Sequence, residues 1–185
     1  MSPELALKSL IGSFRIIIER RHMKMKKMKV LFLCTHNSAR SQMSEGMLRH
    51  YYGDKYEVFS AGATPTRVNP LAIRVMAEIG IDISRQRSKG IKEFAGKDIE
   101  LVVTVCKSTP RLACPFCSSP AMGGGRPVII KETLPGADFL EHGFDDPSEV
   151  EGSDEERIAA FRRTRDEIKK WILEYFAKSI SSSGL

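Results

Sequence analysis

From Met28 onward, short apolar runs alternate with segments whose apolar residues recur at helical spacing. Val30-Leu31-Phe32-Leu33 is a continuous apolar run ending at Cys34, the pattern of a strand buried on both faces of a parallel sheet. Residues 39–52 predict a helix, with Met43, Met47 and Tyr51 on one face and Gly53-Asp54 to end it. Residues 56–60 predict a second strand closing at Gly62. Asn69-Pro70 opens a second helix in which Leu71, Val75, Met76 and Ile79 share a face, and Gly80 stops it. A short helix is expected over 88–96. Leu101-Val102-Val103-Thr104-Val105 predicts a third strand that ends, like the first, in a cysteine, Cys106. Residues 127–130, Pro-Val-Ile-Ile, predict a fourth. Residues 108–127 hold four prolines and Gly123-Gly124-Gly125, the composition of a loop that can rearrange. Ser153-Asp154-Glu155-Glu156 has the form of a capping box, and Ile158, Phe161, Ile168, Trp171, Ile172 and Tyr175 follow on one side of a long last helix.

This alternation predicts an α/β fold: a single three-layer domain with a small, four-stranded, mostly parallel sheet and helices on both faces. Ligands of such sheets bind beyond the carboxyl ends of the strands, so Cys34 and Cys106 are two thiols, distant in sequence, expected at one rim. Composition agrees with a globular chain. Of 185 residues, 42% are hydrophobic and 28% charged, which excludes a disordered, collagen-like or polytopic membrane protein. Four cysteines are too sparse for a disulfide framework.

The net charge of +6 suggests nucleic acid until its distribution is considered. Residues 1–28 carry seven basic side chains against Glu4 and Glu19, which leaves the rest of the chain nearly neutral. A neutral body speaks against a nucleic-acid domain and for a small-ligand protein. In the basic extension, 1–27, the longest apolar run is Ile16-Ile17-Ile18, followed by Glu19-Arg20-Arg21, so no secretory signal is expected. Met23, Met25 and Met28 favour an upstream start or a disordered extension over a basic membrane-surface helix. The folded domain is expected over 28–178, with a tail at 179–185.

Cys34-Thr35-His36-Asn37-Ser38-Ala39-Arg40-Ser41 spans the turn from the first strand to the first helix. A short loop entering a helix N-terminus turns several backbone N–H groups inward, and with the helix dipole these make a cradle for a tetrahedral oxyanion. Arg40 closes the cradle with a bidentate guanidinium, and Cys34 lies at its base. The same field favours a thiolate there, the nucleophilic form of the residue. Ser41 offers the sulfur a hydrogen bond, and Asn37 is the residue type that tolerates positive φ in so tight a loop.

VLFLCTHNSARSQMSEGM at 30–47, with SAG at 60–62, GIDIS at 80–84, LVVTVC at 101–106 and GFDDP at 143–147, resembles the thioredoxin-coupled arsenate reductases, which share the fold of the low-molecular-weight protein tyrosine phosphatases. The resemblance covers about residues 28–175. It implies a relay: Cys34 attacks arsenate, Asp146 protonates the leaving oxygen, Cys106 attacks Cys34 to expel arsenite, and Cys114 attacks Cys106 to carry the disulfide outward to thioredoxin. No bound cofactor or metal is expected, with thioredoxin the external reductant. Asp145 is the local competitor of Asp146. Many relatives have a second cysteine where Ala39 stands, which throws the resolving step onto Cys106. His36, where glycine is common, is read as a solvated loop histidine without a role in proton transfer.

Some reductases of this kind use a potassium ion held by an asparagine, a glutamate, a serine and an aspartate. Asn37, Glu45 and Ser60 match, but the aspartate position falls at Lys89, whose ammonium is expected to replace the ion by pairing with Glu45. Cys117 completes a C-x-x-C with Cys114 that the resemblance leaves unexplained: a metal ligand, an alternative resolving thiol and a spare cysteine all remain open. The alternative function is a phosphatase acting through a phosphocysteine on Cys34, but no aromatic stands beside Asp146 in Asp146-Pro147-Ser148-Glu149. A non-enzymatic thiol sensor would need neither Arg40 nor Asp146. The expected partners are arsenate and thioredoxin, with no nucleic acid or membrane. A cytoplasmic monomer is expected, since relay thiols need a reducing compartment.

Overall fold

The computed structural model describes residues 26–107, 114–117 and 127–182. Strands β1 (Met28–Cys34), β2 (Tyr56–Gly62), β3 (Leu101–Cys106) and β4 (Asp138–Phe144) form one sheet in the order β2-β1-β3-β4. Every pairing is parallel. Helices α1 (Arg40–Tyr52), α2 (Pro70–Ala77), α3 (Val128–Thr133) and α4 (Asp154–Ser182) alternate with the strands. Two short 3-10 turns, Ile91–Phe94 and Pro147–Glu149, complete the order.

The two faces of the sheet can be told from ring contacts. Phe32 of β1 meets Phe176 of α4 edge to face, whereas Phe59 of β2 meets Phe94 of the first 3-10 turn. Since side chains alternate along a strand, Val30 and Phe32 face one layer and Leu31 and Leu33 the other. All four are fully buried, which is why this run shows no alternation in the sequence.

Local chemistry sets the element ends. Asn69 Oδ1 accepts from the Leu71 N–H at 2.9 Å with Pro70 at the first helical position, and this opens α2. The Ser153 and Glu156 pair opens α4 as a capping box, Ser153 N–H donating to Glu156 Oε2 at 2.8 Å and Glu156 N–H to Ser153 Oγ at 3.3 Å. Glu78, just past α2, accepts from Arg162 at 2.7 and 2.8 Å and from Arg165 at 3.0 Å, which ties α2 to α4. The Arg162 hydrogen bonds, aided by its charge and by Arg165, hold the Glu78 carboxyl down at about 2.

One strand lies elsewhere than expected. Residues 127–130 begin α3, and the fourth strand is Asp138–Phe144. A three-residue apolar run cannot distinguish a strand from a helical turn by periodicity. Burial does: Ile130 is fully buried while Val128 is 61% exposed, the one-sided pattern of a surface helix. β4 escaped notice because it is an edge strand, with Asp138 and Glu141 on its exposed positions. The short helix expected over 88–96 is a single 3-10 turn. α4 continues through Ser182, four residues beyond the boundary expected at 178. Among the described residues no helix is long and apolar enough to cross a membrane. Residues 1–25 of the basic extension, and 108–113 and 118–126 of the proline-rich loop, lie outside the described residues.

Candidate active site

The carboxyl end of β1 runs directly into residues 35–39 and then α1. The carbonyls of this loop are turned to the segment that follows β2: Thr64 N–H donates to Thr35 O at 2.9 Å, Thr66 N–H to His36 O at 3.2 Å and Asn69 N–H to Ser38 O at 2.8 Å. The N–H groups of His36, Asn37, Ser38 and Ala39 find no backbone acceptor among the described residues. Ala39, the N-cap of α1, makes no side-chain capping bond. A set of donors left over at a helix N-terminus is the arrangement that an oxyanion satisfies.

Asn37 holds the loop in shape. Its φ of 48° is the one positive value at a non-glycine among the described residues, as its residue type predicts. Buried completely, its amide donates to Ser41 Oγ and to Ser60 Oγ, both at 2.8 Å, while its Oδ1 accepts from Lys89 N–H at 2.8 Å and Gln42 Nε2 at 2.9 Å. Gln42 also donates to Asn37 O and Arg87 O, each at 3.0 Å, and Ser88 Oγ donates to Asn37 O at 2.6 Å. The last residue of β2 lies against the loop's underside. A Cβ on Gly62 would fall 2.8 Å from Asn37 N and 2.9 Å from Thr35 O, so no other residue lets strand and loop approach so closely.

Cys34 is buried, with the Ser41 hydroxyl 2.9 Å from its sulfur. Arg40, also buried, donates from Nη1 to Phe144 O at 3.1 Å and from Nη2 to Asp146 Oδ2. Asp146 Oδ1 accepts from Ser148 N–H at 3.0 Å, so the carboxylate is oriented from both sides. Asp145 points away, 78% exposed and paired with Lys107 at 2.8 Å. His36 and Ser38 line an open cleft with Arg67, Asn69, Ser148 and Arg157.

Beneath the cradle, Glu45 is buried and accepts from Ser60 Oγ, Arg49 Nη2 and Lys89 Nζ, the last at 3.3 Å. The Lys89–Glu45 pair is the one the sequence led us to expect. With two cations already on one carboxylate, and Asn37 Nδ2 a donor to Ser60, these residues do not fit a potassium ion. Arg49 was missed, although its place four residues after Glu45 on α1 is a readable pairing signal. Gln42 was missed too, and nothing in sequence separates it from a solvated helix glutamine.

Cys106 ends β3, the strand next to β1, so the two thiols do share one rim. It is bonded to Cys114 in a disulfide. A Cβ on Gly143 would meet Cys106 O at 2.9 Å, so β4 passes the disulfide backbone to backbone. Cys117 lies in the same cluster, its Sγ 3.6 Å from Cys106 Sγ and its thiol donating to Cys106 O at 3.0 Å.

Residues 29–183 match the family model of low molecular weight phosphotyrosine protein phosphatase. The chain belongs to that family. Its near relatives there are arsenate reductases: the one from Halalkalibacterium halodurans is 43% identical over 148 residues, 80% of this chain and 94% of its own length. A solved structure of an arsenate reductase in the oxidised state superposes with a TM-score of 0.61 at 31% identity, covering 81% of this chain and 97% of that one. A thioredoxin-dependent arsenate reductase from Corynebacterium glutamicum superposes at 0.56 and 26% identity, over 89% of this chain and 67% of its own. For a member of this phosphatase family, the cradle is the shared part and the clustered thiols at the rim are what must be explained.

Proposed function

We propose that the enzyme reduces arsenate to arsenite through a thiol adduct on Cys34 and a disulfide relay from Cys34 to Cys106 to Cys114, regenerated by thioredoxin. The observation that carries this reading is the Cys106–Cys114 disulfide at the rim the cradle occupies. A phosphatase resolves its cysteine adduct with water and has no use for a second and third thiol.

The steps follow from the donors present. Arsenate binds the loop N–H groups of Thr35, His36, Asn37, Ser38 and Ala39, together with the Arg40 guanidinium and the N-terminus of α1. The Cys34 sulfur attacks arsenic, with the Ser41 hydroxyl steadying the sulfur. Asp146, held by Ser148 N–H and Arg40, delivers a proton to the departing oxygen. Cys106 then attacks Cys34 Sγ: an S–S bond forms, the S–As bond breaks, and arsenic keeps the electron pair and leaves as arsenite. Cys114 attacks Cys106, freeing Cys34, and the Cys106–Cys114 disulfide passes two electrons' worth of oxidation to thioredoxin. The electrons come from thiols throughout, so no resident cofactor is required, and the thiols need the reducing cytoplasm. The likeness to the thioredoxin-dependent arsenate reductase of Corynebacterium glutamicum supports thioredoxin as the donor.

Arsenate added to the fully reduced protein without external thiol, followed by alkylation, disulfide mapping and an arsenite assay, tests the proposal. The expected result is a Cys106–Cys114 bond with about one arsenite per chain, the stoichiometry of a two-electron relay. Four free thiols and no arsenite, with hydrolysis of an aryl phosphate, would show a phosphatase instead.

The Lys89 ammonium stands in for an alkali cation beneath the cradle. Turnover is therefore expected to be the same in potassium and sodium chloride at equal ionic strength. Lys89→Met is expected to cost about 2 kcal/mol of stability by leaving a buried carboxylate less compensated. Salt-matched steady-state kinetics and denaturant unfolding check both, and a clear stimulation by potassium would refute the first.

A further inference from the structure

The relay uses Cys34, Cys106 and Cys114, and Cys117 is left without a task although it lies against two of them. The sulfurs of Cys106, Cys114 and Cys117 all lie within 4.8 Å of one another. Their residues are 1%, 6% and 6% exposed. The turn that carries the last two is fixed by its own bond, Cys117 N–H to Cys114 O at 3.1 Å, and by Thr104 Oγ1 of β3 donating to Phe116 O, also at 3.1 Å. Phe116, between the two cysteines, is fully buried. Opening the disulfide therefore leaves three thiols anchored to β3 by the same contacts.

A further resolving role for Cys117 would demand a different shape. Thiol–disulfide exchange proceeds along a line of three sulfurs. Placing Cys117 in line behind Cys106, at 3.6 Å, would put it about 5.6 Å from Cys114 once one disulfide bond length is added. The cluster is instead a triangle no wider than 4.8 Å. A triangle of soft donors suits an ion bound by three sulfurs at once.

Charge and ligand count choose the ion. Zinc at a closed site takes four ligands, and among the described residues no histidine or carboxylate joins these three thiols. A zinc ion on three thiolates also carries net negative charge. Here the surroundings are apolar: Phe116, in the turn between two of the thiols, is fully buried and Phe144, which pairs with Cys106 across the sheet, is buried too, while the neighbouring Lys107 ammonium is engaged by Asp145 at 2.8 Å. Trivalent arsenic needs only three ligands. Arsenous acid reacts with three thiols so that three As–S bonds replace three As–O bonds, each thiol proton leaves with a hydroxyl as water, and no oxidation state changes. The complex is neutral, as a dry pocket requires.

We propose that, in the reduced protein, Cys106, Cys114 and Cys117 form a binding site for trivalent arsenic, the product of the reaction proposed above. Arsenite and the Cys106–Cys114 disulfide exclude one another because they use the same sulfurs. Product therefore binds only the reduced enzyme and slows the following cycle, while the oxidised enzyme releases it.

The test is titration of the fully reduced native protein with sodium arsenite, then alkylation and peptide mapping. Arsenite is expected to protect Cys106, Cys114 and Cys117 together, leave the labelling of Cys34 unchanged, and release no net protons. Cys117→Ala is expected to weaken arsenite binding by about tenfold or more, as loss of one arm of a chelate does. Protection of Cys106 and Cys114 alone, equal affinity in a folded Cys117→Ala, or protection of Cys34 would each overturn the site. So would zinc chloride binding the three thiols more tightly than arsenite. Binding does not depend on turnover: arsenite capture without arsenate reduction would remove the proposed function and leave this site standing, and reduction without capture would do the reverse.

Discussion

Cys106→Ser is expected to lower arsenite production by about 10⁴-fold or more while leaving whatever aryl-phosphate hydrolysis the native protein shows unchanged. The oxyanion donors belong to residues 35–41, and the loop is braced by Asn37, Gln42, Ser60, Ser88 and Lys89. None of these bonds involves Cys106, which sits on the neighbouring strand. Losing its sulfur removes the only step that separates the two chemistries: the Cys34 adduct still forms but has no thiol to take arsenic off. Serine is smaller by little and cannot form a disulfide, so the pairing of β3 with β4 at Cys106 and Phe144 and the Cys117 thiol's bond to the backbone carbonyl of residue 106 survive. Steady-state arsenite and phosphate-ester assays on one preparation check this. Equal loss of both activities would mean that Cys106 shapes the cradle, and full retention of both would mean that another thiol resolves the adduct.

Asp146→Asn is expected to lower kcat for arsenate by about 10³-fold with little change in KM, an effect of about 4 kcal/mol. Asparagine keeps one oxygen, which can still accept from Ser148 N–H as Oδ1 does, but its NH2 cannot accept from Arg40 as Oδ2 does, so the loss combines the transferable proton with the Arg40 contact. Asp145→Asn is the control, since Asp145 is exposed and meets Lys107 at the surface. A matching loss in Asp145→Asn would reassign the acid. An unchanged rate in both would mean that neither carboxylate supplies the proton.

Most of the site could be read from the sequence because its geometry is local. Cys34, the loop, Arg40 and Ser41 follow one another along the chain, and strand, loop and helix each announce themselves by periodicity. Even the backbone of Asn37 was legible, since few residue types accept a φ of 48°. The partnership of Lys89 with Glu45 was accessible only through the family resemblance, as 44 residues separate them. Residues 127–130 misled because three apolar residues fit either period, while true β4 carries the polar residues of an edge. Gln42 was beyond reach because its role lies in what the fold brings against it, Arg87, and Cys117, visible as half of a C-x-x-C, left its alternatives open because the sequence does not show that Cys106 lies against it.

The grip of Arg40 on both Phe144 O and Asp146 has a bearing on how this chain can vary. A guanidinium is a rigid plane, so its two contacts fix the path of the chain from Phe144 to Asp146 to within one residue of length. An inserted residue would shift the carboxylate by about 3.3 Å, the advance of one extended residue, and carry it out of reach. Length changes are thus tolerated at surface turns such as the one after α1, but not in the two-residue step between β4 and Pro147.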